Sequence, residues 1–107
     1  MSPFPFTYRN DASVLIMGVG LMGQHMASHV LNWMNIKKLV IADHSETILV
    51  GTTETRLSDF AASIQAGQNS KADVIAETID VTSEEQVQGL FERHGHIDYL
   101  MHTAGIA

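Results

Sequence analysis

The sequence predicts a three-layer α/β fold in which about four parallel strands, in the order 3-2-1-4, lie between helices. Apolar runs of strand length alternate along the chain with segments of helical spacing, and this alternation is typical of parallel sheets with right-handed crossovers. A glycine-rich turn also follows the first apolar run directly and opens the first helical segment. The 107 residues are expected to form one domain, 1–107, with residues 1–12 as an N-terminal arm.

The strands are predicted mainly from apolar runs, because parallel strands covered on both faces have near-continuous hydrophobic sequences. The third run alternates between apolar and polar residues only in part. The four predicted strands span about residues 13–17, 39–42, 72–81 and 97–103. The segment from Ser45 onward is the least regular, and residues 47–53 are interpreted as a loop or a broken first helical turn.

The helices are predicted from apolar residues that recur at three- and four-residue steps. They span 21–34, a short segment around 57–64, and 82–94. Thr82 and Glu85 have the spacing of a capping box at the start of the third helix, and Gly95 follows its end. Lys37 and Lys38 are expected just beyond the first helix, where cations suit the negative helix end.

Composition excludes several classes of function. With no cysteine the chain has no disulfides, thiolate zinc sites or cysteine nucleophiles. A formal net charge of −6 with scattered Lys and Arg argues against nucleic-acid binding. No run approaches the roughly 18 apolar residues that span a membrane. The N-terminus has no signal-peptide pattern, so a cytoplasmic protein without membrane contact is expected.

The glycine turn carries the main functional motif. Gly18, Gly20 and Gly23 spell G-x-G-x-x-G between a strand and a helix, as in Rossmann-type dinucleotide-binding folds. In this motif the first glycine allows the tight turn, the second lets the backbone approach a pyrophosphate, and the third lets the helix pack close to the strand. The helix N-terminus offers unpaired N–H groups to the phosphates. Leu21 and Met22, inside the motif, are predicted to line the same site.

An acidic residue at the tip of the second strand gives the motif a partner. Asp43 lies 20 residues after Gly23, the separation at which this motif places an acid on the adenosine ribose. A carboxylate there accepts hydrogen bonds from both ribose hydroxyls and repels a 2′-phosphate, so NAD is favoured over NADP. The alternative is a solvated aspartate in a turn.

The histidines are weighed separately as candidate site residues. His25 and His29 are one helical turn apart, a spacing that can hold a metal, but Met26 stands where H-E-x-x-H requires glutamate. A polar helix face is therefore favoured, and no metal site is predicted. His102 is interpreted as a core histidine satisfied by the backbone, and the alternative is a histidine beside the expected cofactor site.

Three segments together resemble the short-chain dehydrogenase/reductase family: residues 18–23, 80–82 and 97–107. The resemblance covers about 14–107, and its last segment is similar to the family's I-D-x-L-V-N-N-A-G-I-A stretch. It implies that Asp80 binds the adenine amino group and that Val81 lines the adenine pocket. It also implies that Thr103, Ala104 and Gly105 pass beside the cofactor ribose, with His102 and Thr103 replacing the family's two asparagines.

The resemblance implies hydride transfer between NAD(H) and an alcohol or carbonyl substrate. The family's catalytic Ser and Tyr-x-x-x-Lys lie beyond the last matched segment, and Tyr99 has Thr103, not lysine, as its fourth neighbour. We therefore expect this chain to be the NAD-binding portion of a longer enzyme. The portion itself should bind the cofactor without turnover, and no catalytic residue is predicted in it. The alternative is a stand-alone binding module, either nucleotide-binding or a homodimer paired through the outer edge of the fourth strand.

Overall fold

The computed structural model describes residues 12–33, 36–67 and 72–103. The helices and strands follow one another along the chain as β1 (Ala12–Met17), α1 (Leu21–Trp33), β2 (Ile36–Asp43), β3 (Thr47–Val50), β4 (Thr53–Arg56), α2 (Leu57–Gly67), β5 (Asp73–Thr78), α3 (Glu84–His94) and β6 (Tyr99–His102). Most of the predicted arm lies outside these residues, although Ala12 already belongs to β1.

A four-stranded parallel sheet in the order β5-β2-β1-β6 forms the centre of the molecule. β5 and β6 are the third and fourth parallel strands, so the predicted order 3-2-1-4 is confirmed. In the register of the two central strands Ile16 lies beside Ile41, and on its other side Ile16 lies beside Met101. Since all strands run the same way, their carboxyl ends share one edge of the sheet.

Helices cover both faces of the sheet, which confirms the three-layer arrangement. Successive side chains of a strand point to opposite faces. Val14 and Ile16 therefore join the apolar cluster beneath α1 and α2, whereas Leu15 and Met17 join a second cluster with Leu90 of α3. The β1 residues are fully or almost fully buried, which explains the unbroken apolar run of the sequence.

The boundaries of the later strands differ from the prediction. β2 begins at Ile36, so Lys37 and Lys38 belong to the strand and do not follow the end of α1. The Nζ of Lys38 instead donates to the carbonyl of His94, 3.0 Å away at the end of α3. The cation does lie at a helix C-terminus, but tertiary packing selects a helix distant in sequence.

The two outer strands are shorter than predicted. β5 ends at Thr78, and the next amide, of Ile79, makes a last bond to β2 by donating to the carbonyl of Asp43 at 2.8 Å. β6 is limited to Tyr99–His102. His102 is exposed on this edge strand, so its interpretation as a core histidine is wrong.

Residues 47–53, interpreted as a loop or a broken first helical turn, belong to the antiparallel hairpin β3–β4, which extends to Arg56. Val50 pairs with Thr53, which leaves a two-residue loop whose first residue, Gly51, has φ of 64°. Glycine at this position is typical of the tight turns that join twisted strands. The β-branched residues around the loop favour strands. The prediction of a loop or a broken helical turn is therefore wrong, because it overlooked this local preference.

The third helix begins one residue later than the predicted capping box. Ser83 is the N-cap, and its side chain accepts from the amide of Gln86 at 3.3 Å. The hydroxyl of Thr82 instead donates to Oδ1 of Asp80 at 2.6 Å, so Thr82 is not available as a cap. At the other end Gly95, with φ of 65°, donates its N–H to Phe91 and ends the helix as predicted.

Within the described ranges, the helices are too short and insufficiently apolar to cross a membrane.

Candidate functional site

The turn after β1 contains a glycine whose conformation other residues rarely adopt. Gly18 has φ of 100°, and its N–H donates to the carbonyl of Ala42 at 2.7 Å. The chain thus leaves β1 sharply while still bonded to β2. The first glycine of the motif is therefore required by the turn itself, as the sequence predicted.

The third glycine allows α1 to approach the end of β1 closely. A Cβ added to Gly23 would lie 1.9 Å from the carbonyl oxygen of Gly18, which is too close for two non-bonded atoms. Gly20 differs, because an added Cβ there would have no atom within 4 Å. One glycine faces packed protein, and the other faces open space at the start of the helix.

The first turn of α1 has backbone N–H groups directed out of the helix end. The carbonyl of Gly20 accepts the first helical bond, from Gln24 at 2.9 Å, which places Gly20 at the N-cap. The amides of the following turn have no partner within a helix. Gly20 has no side chain to cap them, and this turn contains no acidic residue. The helix end is therefore suited to an anion.

Asp43 ends β2 with its carboxylate against the glycine turn. Oδ2 accepts from the N–H of Val19 at 2.7 Å, and Oδ1 accepts from the N–H of Ser45 at 3.1 Å. The Nδ1 of His44 lies 3.1 Å from Oδ1, and the Asp43 side chain is 11% exposed. A carboxylate offers about four acceptor positions, so one position on Oδ2 remains for a further donor.

Thr103 connects the end of β6 to the glycine turn. Its buried hydroxyl lies 2.7 Å from the carbonyl oxygen of Gly18 and 3.2 Å from that of Met17, and its N–H donates to Met17 at 2.7 Å. At this position, where the family resemblance has asparagine, threonine therefore binds the backbone of the turn.

These groups surround one cavity of about 540 Å³ at the carboxyl edge of the sheet. Its walls come from the glycine turn, the start of α1 and the ends of β2 and β6: Gly18, Gly20, Leu21, Met22, Gly23, His25, Asp43, His44 and Thr103. The exposed side chains of Leu21 and Met22 make part of this wall apolar. Ligands of open α/β sheets bind at such an edge.

Two of the lining residues, His25 and His44, were not predicted from sequence. His25 lies four residues after Leu21, on the same face of α1. His44 directly follows Asp43 at the strand tip. Once the cavity is known, the helical spacing from Leu21 explains the position of His25, and the end of β2 explains that of His44. Within the described residues no group of three His, Cys, Asp or Glu is arranged to hold a metal ion.

Asp80 and Val81 lie after β5, outside the wall of this cavity. Asp80 is exposed, and hydrogen bonds to its carboxylate from the hydroxyl and then the N–H of Thr82 lower its pKa from the ordinary 3.8. His44 contributes a smaller lowering of that pKa by its charge. Val81 is half-buried against the apolar cluster beneath α3. Ala104 and Gly105 lie outside the described residues.

Comparison with solved structures identifies the fold. A short chain dehydrogenase from Mycobacterium smegmatis superposes on 99% of this chain with a TM-score of 0.65 and 26% identity. The fold is that of a short-chain dehydrogenase. An adenylation, ketoreductase and pseudo Asub structure of a keto acid-selecting NRPS module superposes on 96% of the chain with a TM-score of 0.68 and 22% identity, which supports the fold alone.

This chain covers only part of the length of both solved structures. The chain spans 42% of the M. smegmatis protein and 9% of the NRPS module. No protein-family model matches the sequence, and no curated protein matches it.

Proposed function

We propose that this chain binds the ADP-ribose part of a nicotinamide dinucleotide, as the cofactor-binding portion of a short-chain dehydrogenase-like oxidoreductase. The observation that carries the proposal is the cavity at the carboxyl edge of the sheet. Its wall combines a glycine turn, an uncapped helix N-terminus and an aspartate at the tip of β2. Those three groups match the phosphates and the ribose of one dinucleotide.

The pyrophosphate is assigned to the N-terminus of α1. The space beside Gly20 is open, so the backbone can come within hydrogen-bonding distance of a phosphate oxygen. The unpaired amides of the first turn and the positive end of the helix dipole both favour negative charge. Leu21 and Met22 supply apolar surface next to this position.

The adenosine ribose is assigned to Asp43. The remaining acceptor position on Oδ2 takes one ribose hydroxyl, while the bond from Val19 keeps the carboxylate oriented. A 2′-phosphate would bring negative charge against this carboxylate, so we propose that NAD binds better than NADP. His44 must leave Oδ1 if that oxygen is to accept the second hydroxyl.

The adenine is assigned to the region after β5. Asp80 accepts both bonds from Thr82 at Oδ1, and we assign its Oδ2 as the acceptor for the adenine amino group. The family resemblance assigns Val81 to the adenine pocket, and Thr103, Ala104 and Gly105 to the ribose side. Because β5 lies beside β2 in the sheet, this assignment extends the adenosine along the edge of the sheet from β2 towards β5.

The proposed reaction of the complete enzyme is hydride transfer between the nicotinamide and an alcohol or carbonyl carbon. The sequence has no Tyr-x-x-x-Lys, so we propose cofactor binding without turnover by these 107 residues. A tyrosine with an ordinary pKa near 10 is a poor general acid at neutral pH without a neighbouring cation.

Calorimetric titration with NAD, NADP and ADP-ribose tests the proposal. Gly20→Val fills the open space and should abolish binding of all three ligands. Asp43→Ala should weaken NAD and ADP-ribose and reduce the preference over NADP. Gly67→Val is the matched control, because an added Cβ at Gly67 also has no atom within 4 Å and lies far from the cavity. Equal affinities in all four proteins would refute the site.

A second candidate function is that of a homodimeric module. β6 is an edge strand of the sheet, and Tyr99 and Leu100 are about half exposed, at 48% and 50%. Edge strands with apolar side chains tend to pair with other strands. Two copies paired through β6 would satisfy the backbone groups of both edges and bring Tyr99 and Leu100 beside side chains of the second copy.

Sedimentation velocity across a range of concentrations tests the dimer. Leu100→Glu should give a monomer, whereas Leu49→Glu, on the exposed face of the hairpin, should leave association unchanged. A wild-type protein that remains monomeric at high concentration would remove this candidate.

A further inference from the structure

One side chain connects the glycine turn to the hairpin β3–β4. Gln24 lies in the first turn of α1, and its Nε2 donates to the carbonyl of Val19 at 3.1 Å and to that of Leu49 at 2.7 Å. Val19 belongs to the glycine turn, and Leu49 belongs to β3. A single amide group therefore joins a helix, a turn and a hairpin at the edge of the cavity.

The bond to Val19 fixes the peptide that leads into Gly20. In a planar trans peptide, the carbonyl of one residue and the N–H of the next point in opposite directions. Because Gln24 binds the carbonyl of Val19, the N–H of Gly20 must point away from Gln24. Val19 is fully buried, and its own N–H is held by Asp43, so this segment has little freedom to rotate.

The bond to Leu49 connects the hairpin to the same peptide. The hairpin begins shortly after Asp43, whose Oδ1 accepts from Ser45. Its base is closed by the N–H of Leu57, which donates to the carbonyl of Glu46 at 2.7 Å. Ile48 is buried in the core, whereas the side chain of Leu49 is 63% exposed. Its backbone bond to Gln24 is thus a direct link between the hairpin and the turn.

We propose that Gln24 is a positioning residue of the dinucleotide site and couples the hairpin to it. It orients the N–H of Gly20 for a pyrophosphate oxygen, and pyrophosphate binding in turn reduces the opening of β3–β4 through Leu49. Coupling of this kind is reciprocal, because each event stabilises the arrangement that the other requires. The inference rests on the proposed function.

Gln24→Glu is the informative variant because it replaces the only donor with an acceptor of the same shape. A carboxylate cannot donate to the two carbonyl oxygens, so both bonds are lost. Gln65→Glu is the matched control. There the Oε1 of Gln65 accepts from the N–H of Val74 at 2.8 Å, and glutamate retains that acceptor. Both variants make the same change in charge.

ADP-ribose is the probe, with affinity measured by calorimetry and hydrogen exchange measured over residues 47–56. In the wild type and Gln65→Glu, ADP-ribose should slow exchange in the hairpin. In Gln24→Glu, affinity should fall about tenfold or more, and the hairpin should exchange at the same rate with and without the ligand. The neutral Gln24→Ala should behave likewise. If the charged variant does not fold, Gln24→Ala is compared with the wild type instead.

The outcomes separate the inference from the proposed function. If wild type binds ADP-ribose and both Gln24 variants match it in affinity and hairpin protection, the coupling is refuted and the binding site stands. If wild type does not bind ADP-ribose, the proposed function and the inference fail together.

Discussion

The two sides of the glycine turn differ in how closely the surrounding protein packs against them. On the packed side, Gly23 lies against the carbonyl of Gly18, and the hydroxyl of Thr103 binds the same carbonyl. On the open side, Gly20 has no atom within 4 Å of an added Cβ, and the cavity begins. The motif itself predicts this division, because its second glycine lets the backbone approach a pyrophosphate and its third lets the helix pack close to the strand.

The comparison separates two reasons for glycine in one short segment. On the packed side the absence of a side chain lets two backbone segments touch, which is a requirement of the fold. On the open side an added Cβ would meet no neighbouring atom, so the fold does not require glycine there, and we propose that the free space serves ligand binding alone. Substitutions on the two sides should therefore change different measured quantities.

The largest effect is expected for Gly23→Ala. Its Cβ would meet the carbonyl oxygen of Gly18, so α1 must move away from the sheet, and we expect a loss of about 3 kcal/mol or more in the free energy of unfolding. Urea denaturation followed by circular dichroism measures it. Gly20→Ala is the control, with an expected loss of about 1 kcal/mol or less at this N-cap. Equal losses would contradict the division into two sides.

An intermediate effect is expected for Thr103→Val on the packed side. Valine has almost the same shape but cannot donate to the carbonyl of Gly18, so this buried acceptor loses its partner. We expect a loss of about 1–3 kcal/mol in the free energy of unfolding. Thr53→Val, at an exposed hairpin position, should change it little. A Thr103→Val protein as stable as wild type would show that this bond does not stabilise the packed side.

The smallest effect on the free energy of unfolding is expected at Asp80, which follows β5 and lies outside the cavity wall. Hydrogen bonds from Thr82 lower its pKa below 3.8, so this carboxylate stabilises the fold above pH 3.8 and loses that effect as the pH falls through its lowered pKa. Asp80→Asn should remove this acid dependence, and Thr82→Val should raise the pKa of Asp80 towards 3.8. Carboxyl NMR titration and unfolding between about pH 5 and pH 2 measure both. An unchanged pKa in Thr82→Val would contradict the assignment of cause.

The order of the sheet could be predicted because each element carried its own signal. The apolar run of β1 and the helical spacing of α1 reflect burial that is visible in the sequence. The hairpin β3–β4 was missed because its strands are short, and its Thr and Glu residues face solvent. The N-cap of α3 was displaced because Asp80 competes for the hydroxyl of Thr82, a contact that residue spacing alone did not reveal.

The candidate site could be predicted as far as its motif and the family resemblance extend, since the resemblance also named Thr103, which lines the cavity. Gly18, Gly20, Gly23 and Asp43 were identified by spacing, and the structure brings them around one cavity. His44 could have been added from its place after a strand end. The role of Gln24 could not have been inferred, because its partners Val19 and Leu49 contribute only backbone carbonyls, which leave no trace in a sequence.

The sequence by itself determined the strand order, the two covered faces of the sheet and the position of the glycine turn, because burial and backbone freedom depend on residue type. Tertiary structure alone decided that the hydroxyl of Thr103 binds the glycine turn, that Lys38 reaches α3 and that one amide joins turn and hairpin. These contacts join side chains to backbone atoms elsewhere in the chain, and such distances exist only once the chain has folded.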